Sequence, residues 1–250
     1  MTTLLLALIA GAVVGLALGG LGGGGSILAV PALIYLLDFT PVAATTASLV
    51  IVAATTATSL YTHAKDGNVQ WRTGIPFAAA GIVPALLGGT LAGRLPEALL
   101  TGAFSVIAFV AALRMLKPQQ SDADRNLLPV QPARAAATGA GLGAITGFLG
   151  VGGGFLTVPA LVSVLGLKMK GAVGTSLLVI TVTSLAALTA RTGTAHGLRW
   201  EVIAPFTGAA ILGAWDGKRL AAKVSGATLQ RVFALVLAAV AGVMLLDALT

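Results

Sequence analysis

The long stretches without charge constrain this chain most. No Asp, Glu, Lys or Arg occurs from Met1 to Leu37, and further uncharged runs cover 39–64, 73–93, 98–113, 135–167, 171–190, 202–215 and 232–246. A helix that crosses the hydrocarbon core needs about 20 mostly apolar residues, so these runs read as membrane spans or partial spans. Charged residues make up only 9% of the chain and hydrophobic ones 57%, whereas a soluble domain carries about 25% charge. The expected class is therefore an all-α, polytopic membrane protein, with little chain left for a soluble domain.

The formal net charge of +7 does not point to nucleic acid. The basic residues sit at the ends of apolar runs and form no patch, as expected when they report topology. With no cysteine in the sequence, disulfides and zinc-thiolate sites are excluded. The two histidines, His63 and His196, are too few and too far apart for a metal cluster. Met1-Thr2-Thr3 lacks the basic start of a signal peptide, so the N-terminal apolar run is read as part of the fold.

Two glycine-rich breaks interrupt the apolar sequence. Gly22-Gly23-Gly24-Gly25-Ser26 leads into a short apolar run ending at Pro31, and Gly150-Val151-Gly152-Gly153-Gly154 leads into one ending at Pro159. Each glycine costs a helix roughly 1 kcal/mol relative to Ala. The breaks therefore read either as tight turns between packed helices or as unwound backbone that holds a ligand.

The first half divides into segments A (2–21), B (26–37), C (42–62), D (74–93) and E (97–116), and the second half repeats them. Pro31 matches Pro159 and Ser48 matches Ser176 at an offset of 128; Trp71, Pro76 and Phe77 match Trp200, Pro205 and Phe206 at 129. Such a sustained offset indicates internal duplication. The expected organisation is a first transmembrane repeat (1–117), a polar linker (118–132) and a second repeat (133–250), with about eight to ten membrane segments in all. Segment B, at 1.5 Å per residue, spans only about 18 Å, so A and B are expected to form a broken helix or a re-entrant hairpin.

Charge placement chooses between parallel and inverted repeats. Parallel repeats would divide the 15 Lys and Arg residues evenly between the two faces, whereas inverted repeats put all but Arg94, Arg191 and Arg199 on the linker face. By the positive-inside rule, the repeats are expected to be inverted, the linker cytoplasmic and both termini extracytoplasmic, in the cell membrane. Trp71 and Trp200 begin the D segments and suit interfacial anchoring.

Inverted repeats with interrupted helices point to a secondary transporter with its site near mid-membrane. A helix that starts at a glycine break offers free N–H groups and a positive dipole end to an anion. The candidate binding residues are Gly24, Gly25 and Ser26 facing Gly152, Gly153 and Gly154, joined by the segment C hydroxyls Thr46, Ser48, Thr175 and Ser176. His63 and Arg191 occupy equivalent ends of the C segments, and together with Asp216 they are candidates for gating or coupling. Helix-end placement for the first two, and an interfacial pair with Lys218 or Arg219 for Asp216, are the competing readings. There is no nucleophile with a base, no paired carboxylates and no phosphate loop, so neither an enzyme nor a cofactor is expected.

The motif from Gly150 to Pro159, its counterpart from Gly22 to Pro31 and the duplicated Trp and Phe positions resemble the TauE/SafE membrane transporters, over nearly the whole chain. Ser26 departs from the pattern by replacing a third motif glycine. The resemblance implies export of small anions such as sulfite, sulfoacetate or other organosulfonates, coupled to the proton or the membrane potential. Its partners are then a small anion and the lipid bilayer, with no nucleic acid. A passive anion pore and a non-transporting membrane scaffold are the alternatives.

Overall fold

The computed structural model describes residues 2–92, 106, 109–110, 112–113, 116, 132–149, 154–190 and 198–249. The described residues form helices joined by short turns, and no strand occurs among them. In chain order the helices are α1 (Thr2–Leu21), α2 (Gly24–Pro31), α3 (Pro41–Lys65), α4 (Trp71–Ala92), α5 (Pro132–Leu149), α6 (Gly154–Ser163), α7 (Met169–Ala190), α8 (Trp200–Ala222) and α9 (Gly226–Leu249). A π-helical turn, Ala32–Leu36, extends α2 beyond Pro31. Thr2–Leu21, Ala43–Lys65 and Met169–Thr189 are long and apolar enough to cross a membrane. The linker residues 118–131, most of segment E, Arg191 and Gly150 to Gly153 lie outside the described residues.

Matched sequence positions adopt matched geometry. The Phe39 N–H donates to the Leu33 carbonyl at 3.0 Å, and the Leu167 N–H donates to Leu161 at 2.9 Å. The turn before each is left-handed, at Asp38 (φ 53°) and Gly166 (φ 69°). That region is open to glycine and tolerable for a short polar side chain. Next along the chain, Ala44 and Ala172 donate to the carbonyls of Thr40 and Lys168, closing the first turns of α3 and α7.

The first helix of each half docks on the fourth helix of the other. A Cβ on Gly11, Gly15 or Gly19 of α1 would be driven into the carbonyls of Phe206, Ala210 and Ala214 on α8. A Cβ on Gly139 or Gly143 of α5 would meet the carbonyls of Phe77 and Gly81 on α4 in the same way. Both registers advance in the same direction, so each pair runs parallel. Lipid gives apolar helices no reason to associate with one another rather than with its own tails, and close backbone packing at small residues supplies it instead. The opposite face of α1 presents Leu4, Leu5, Ile9 and Val13 outward.

The third helices, α3 and α7, run antiparallel. Thr56 meets Thr181 near their middles, while Gln70, just past the end of α3, donates its backbone N–H to the Thr175 hydroxyl near the start of α7. The end of α8 joins this same face, because Lys218 reaches the Thr62 carbonyl on α3. Lys65, Arg72, Lys168, Lys170, Lys218, Arg219 and Lys223 therefore gather at one end of the bundle. Among the described Lys and Arg residues only Arg199 lies at the opposite end, where it donates to the Leu37 carbonyl and covers the Phe39 ring, 4.2 Å from its centroid.

Candidate functional site

The first glycine break is a tight turn near the cation-rich end. Gly22 turns the chain with φ 68°, and α2 then folds back along α1. A Cβ at Gly25 would strike Leu18 and the Val14 carbonyl, so Gly25 serves the packing of this hairpin. The Ser26 hydroxyl donates to the Gly23 carbonyl at 2.7 Å, which satisfies it within the turn. Gly24 begins α2.

The expectation of a break at mid-depth does not hold. A Cβ on Gly22 would lie 2.6 Å from the Ser176 hydroxyl and 3.2 Å from Val173, both within the first two turns of α7. Neighbouring Gly20 faces Gly217, near the end of α8. The register of α1 on α8 thus carries the break toward one face, away from the bundle centre. The two short helices α2 and α6 still pack against each other. Gly154 is the first residue of α6, and Gly152 and Gly153 fall outside the described residues.

What does occupy the interior between the halves is a seam of hydroxyls along α3 and α7. Ser48, Thr55, Thr56 and Ser59 on α3 are buried, as are Thr175, Ser176, Thr181, Thr183 and Ser184 on α7. Ser48, Thr55, Ser59 and His63 recur at spacings of seven, four and four, which places them on one helix face. Most of the group bond locally: Ser48 donates to the Thr45 carbonyl (2.8 Å), Ser176 to Val173 (2.7 Å) and Thr56 to Val52 (2.7 Å). The Thr181 hydroxyl bridges the halves, 2.9 Å from Thr56 and 2.7 Å from the Leu177 carbonyl. Thr46 is fully buried on the same helix.

Three buried hydroxyls on these two helices break the local rule. Thr55 Oγ1, Ser59 Oγ and Ser184 Oγ are buried and have no hydrogen-bond partner. A serine or threonine inside a helix normally satisfies itself on the carbonyl one turn back, and leaving a buried hydroxyl unpaired costs about 1–3 kcal/mol. Sequence reading singled out Ser48, Thr175 and Ser176 near the breaks and missed these deeper positions. For Thr55 and Ser59 the signal was the turn-by-turn spacing from His63; Ser184 on α7 carried none.

The seam ends in a polar pocket at the cation-rich face. The pocket holds about 130 Å³ and is lined by the polar residues His63, Asp66, Asn68, Lys170 and Lys218 together with Gly20, Val173, Ala221 and Ala222. His63 is 6% exposed. Its Nε2 lies 3.3 Å from the Gly19 carbonyl, which can only accept, so Nε2 carries the proton of the neutral ring. Nδ1 is left as a buried acceptor with no partner. The Lys218 ammonium donates to the Thr62 carbonyl and pairs with Asp66, both at 2.7 Å. The hydrogen bond that Lys218 donates to Asp66, together with the lysine charge, holds the Asp66 carboxyl below the usual carboxylate range.

Asp216 stands apart from this pocket. Exposed on α8, it pairs with Arg219 at 3.5 Å, as the interfacial reading expects. No group of three or more His, Cys, Asp or Glu able to hold a metal occurs among the described residues.

The chain is similar to known proteins over almost its full length. The family model described as "Sulfite exporter TauE/SafE" matches residues 7–244. A "Probable membrane transporter protein" of Xylella fastidiosa is 35% identical over 238 residues, 92% of this chain and 90% of the relative. A protein of the same description from Haemophilus influenzae is 28% identical over 182 residues, 70% of this chain and 68% of the relative. Another, "Probable membrane transporter protein YunE" of Bacillus subtilis, is 28% identical over 245 residues, 88% of this chain and 86% of the relative. Helices able to span a bilayer and a polar seam sealed between them suit such proteins, and the chain belongs to the TauE/SafE family of membrane transporters.

Proposed function

We propose that the protein is a secondary transporter that exports small oxyanions such as sulfite or organosulfonates, and that the anion passes between the two halves along the α3–α7 hydroxyl seam. The observation that carries this reading is the trio of buried hydroxyls without partners, Thr55, Ser59 and Ser184. An apolar scaffold would gain nothing from them. A passing anion stripped of water would find three donors there. Polar groups inside a membrane bundle mark substrate pathways, and the family description supplies the substrate class.

The two halves act as inverted repeats in this scheme. Antiparallel α3 and α7 support it, because a rotation exchanging equivalent helices must reverse their direction. The linker face is the cytoplasmic face, supported by the gathering of the described lysines and arginines at that end. Ser48 and Ser176 line equivalent stretches of the path, and Thr46 and Thr175 flank them.

Counterflow in proteoliposomes tests the proposal. Vesicles preloaded with unlabelled sulfite should accelerate uptake of labelled sulfite several-fold over empty vesicles, with saturation. Uptake that is linear in concentration and indifferent to preloading would mean a pore. No flux of sulfite, sulfoacetate or sulfate would sink the transport reading.

A further inference from the structure

The pocket at the cation-rich end holds two features that the hydroxyl path does not use: a buried histidine acceptor and two lysines from the other half. We propose that this pocket binds a small oxyanion between Lys170 and Lys218, and that Nδ1 of His63 takes up a proton as the anion arrives. This rests on the transport reading for its biological role but stands on its own geometry.

The groups that share the pocket with His63 can be named element by element. From α1 comes only backbone, with the Gly19 carbonyl holding Nε2–H at 3.3 Å. The end of α3 supplies Asp66, the following turn Asn68, α7 Lys170 and α8 Lys218. Lys218 has one carboxylate partner, Asp66, whose side chain is 52% exposed. Asp66 can therefore leave for water when a competing anion enters. Lys170 is exposed and has no acidic partner among the described residues, so it is free to meet an anion at the pocket's mouth.

The neutral ring tautomer decides what the anion can do. Nδ1 has no hydrogen to offer, so an oxyanion cannot bond to it until a solvent proton adds there. In the empty pocket a second positive charge beside Lys218 is opposed by Coulomb repulsion. A bound dianion reverses that sign, and the imidazolium then donates Nδ1–H to it. Anion and proton each favour the other, as linkage requires. The balance is simple: one dianion and one proton enter, and no bond other than N–H forms. The pocket volume of about 130 Å³ exceeds the roughly 30 Å³ share of a single water, which leaves room for an ion of four or five heavy atoms.

The test uses full-length protein in detergent at pH 7.5 with sulfate, which stays a dianion and brings no proton of its own. Calorimetry in two buffers of different ionisation enthalpy should show uptake of up to one proton per sulfate bound. His63→Gln should bind sulfate with no proton uptake, and Lys218→Met should weaken binding at least tenfold. The chain has only two histidines, so ¹⁵N-histidine spectra of otherwise native protein give an independent readout. With His196→Gln fixing the assignment, sulfate should convert the His63 signals from the Nε2–H tautomer to imidazolium. A His63 ring that stays neutral at saturating sulfate, or proton uptake that survives His63→Gln, would overturn the proposal, as would absence of sulfate binding. Counterflow that persists while sulfate fails to protonate His63 would remove this pocket's role and leave transport standing. Proton-linked binding without any flux would do the reverse.

Discussion

The bundle contains two kinds of seam between its halves, and they are built on opposite principles. Where α1 meets α8 and α4 meets α5, side chains are removed so that backbones touch. Gly11, Gly15 and Gly19 on one side, and Gly139 and Gly143 on the other, repeat the same register at the same sequence offset. Where α3 meets α7, polar side chains are added and some are left unsatisfied. The glycine seams lose nothing to water and hold the helices at fixed height. The hydroxyl seam carries buried polar groups without partners, at a cost in stability. A frame that repeats its register therefore carries a central interface that differs between the halves: Thr181 has Ala53 at the matched position, and Lys218 has Gly89.

The difference predicts sharply unequal mutational effects, largest at the frame. Gly15→Leu would force a side chain into the Ala210 carbonyl, and overpacking against backbone should destabilise by about 3 kcal/mol or more. Gly143→Leu, its counterpart against Gly81, should do the same. Gly141→Leu, only two residues away but with nothing within 4 Å of its Cβ, should leave the protein folded. Thermal unfolding in detergent, read alongside the monodisperse fraction, gives all three. Equal loss for Gly141→Leu and Gly143→Leu would mean that the glycines act through helix propensity and not through the docking seam.

The path should behave in the opposite way. Ser184 is buried and its hydroxyl has no partner, so Ser184→Ala removes no native bond and should raise stability, by up to about 1–3 kcal/mol, as the unpaired hydroxyl is lost. Loss of one donor to a transported anion should cost on the order of tenfold in flux. Thr55→Val should follow the same pattern. A Ser184→Ala protein with unchanged counterflow would separate the hydroxyl seam from transport.

The sequence carried much of the frame because membrane burial writes itself in charge. Segment A ends where α1 ends, at Leu21, since a charge-free run bounded by a glycine break leaves little freedom. The depth of that break was not legible. It depends on the register of Gly15 on Ala210, a tertiary fact with no local signature. Gly25 looked like a ligand cradle and instead faces Leu18, because an absent side chain reads alike whether it admits an ion or a helix. His63 was visible as a helix-end candidate, but only the fold brings Lys218 from 155 positions downstream to its pocket.

The smallest expected effect concerns the Lys218–Asp66 pair, which ties α8 to the end of α3 at 2.7 Å. Asp66 is well solvated, so the tie stabilises the fold only weakly. Its sign with pH is nevertheless definite. The carboxyl is held below its ordinary range by Lys218, so its contribution is fully present above that range and disappears as pH falls through the lowered value. The thermal midpoints of wild-type protein and Asp66→Asn should thus differ by a small, constant amount from pH 8 down to about pH 5 and converge in stronger acid. Lys218→Met should start from a larger gap that narrows in acid but does not close, since it also strips the Thr62 carbonyl of its donor at every pH. A gap that widens on acidification would show that Asp66 is stabilised in its protonated form, and the pocket would then be an acid-binding site with its electrostatics reversed.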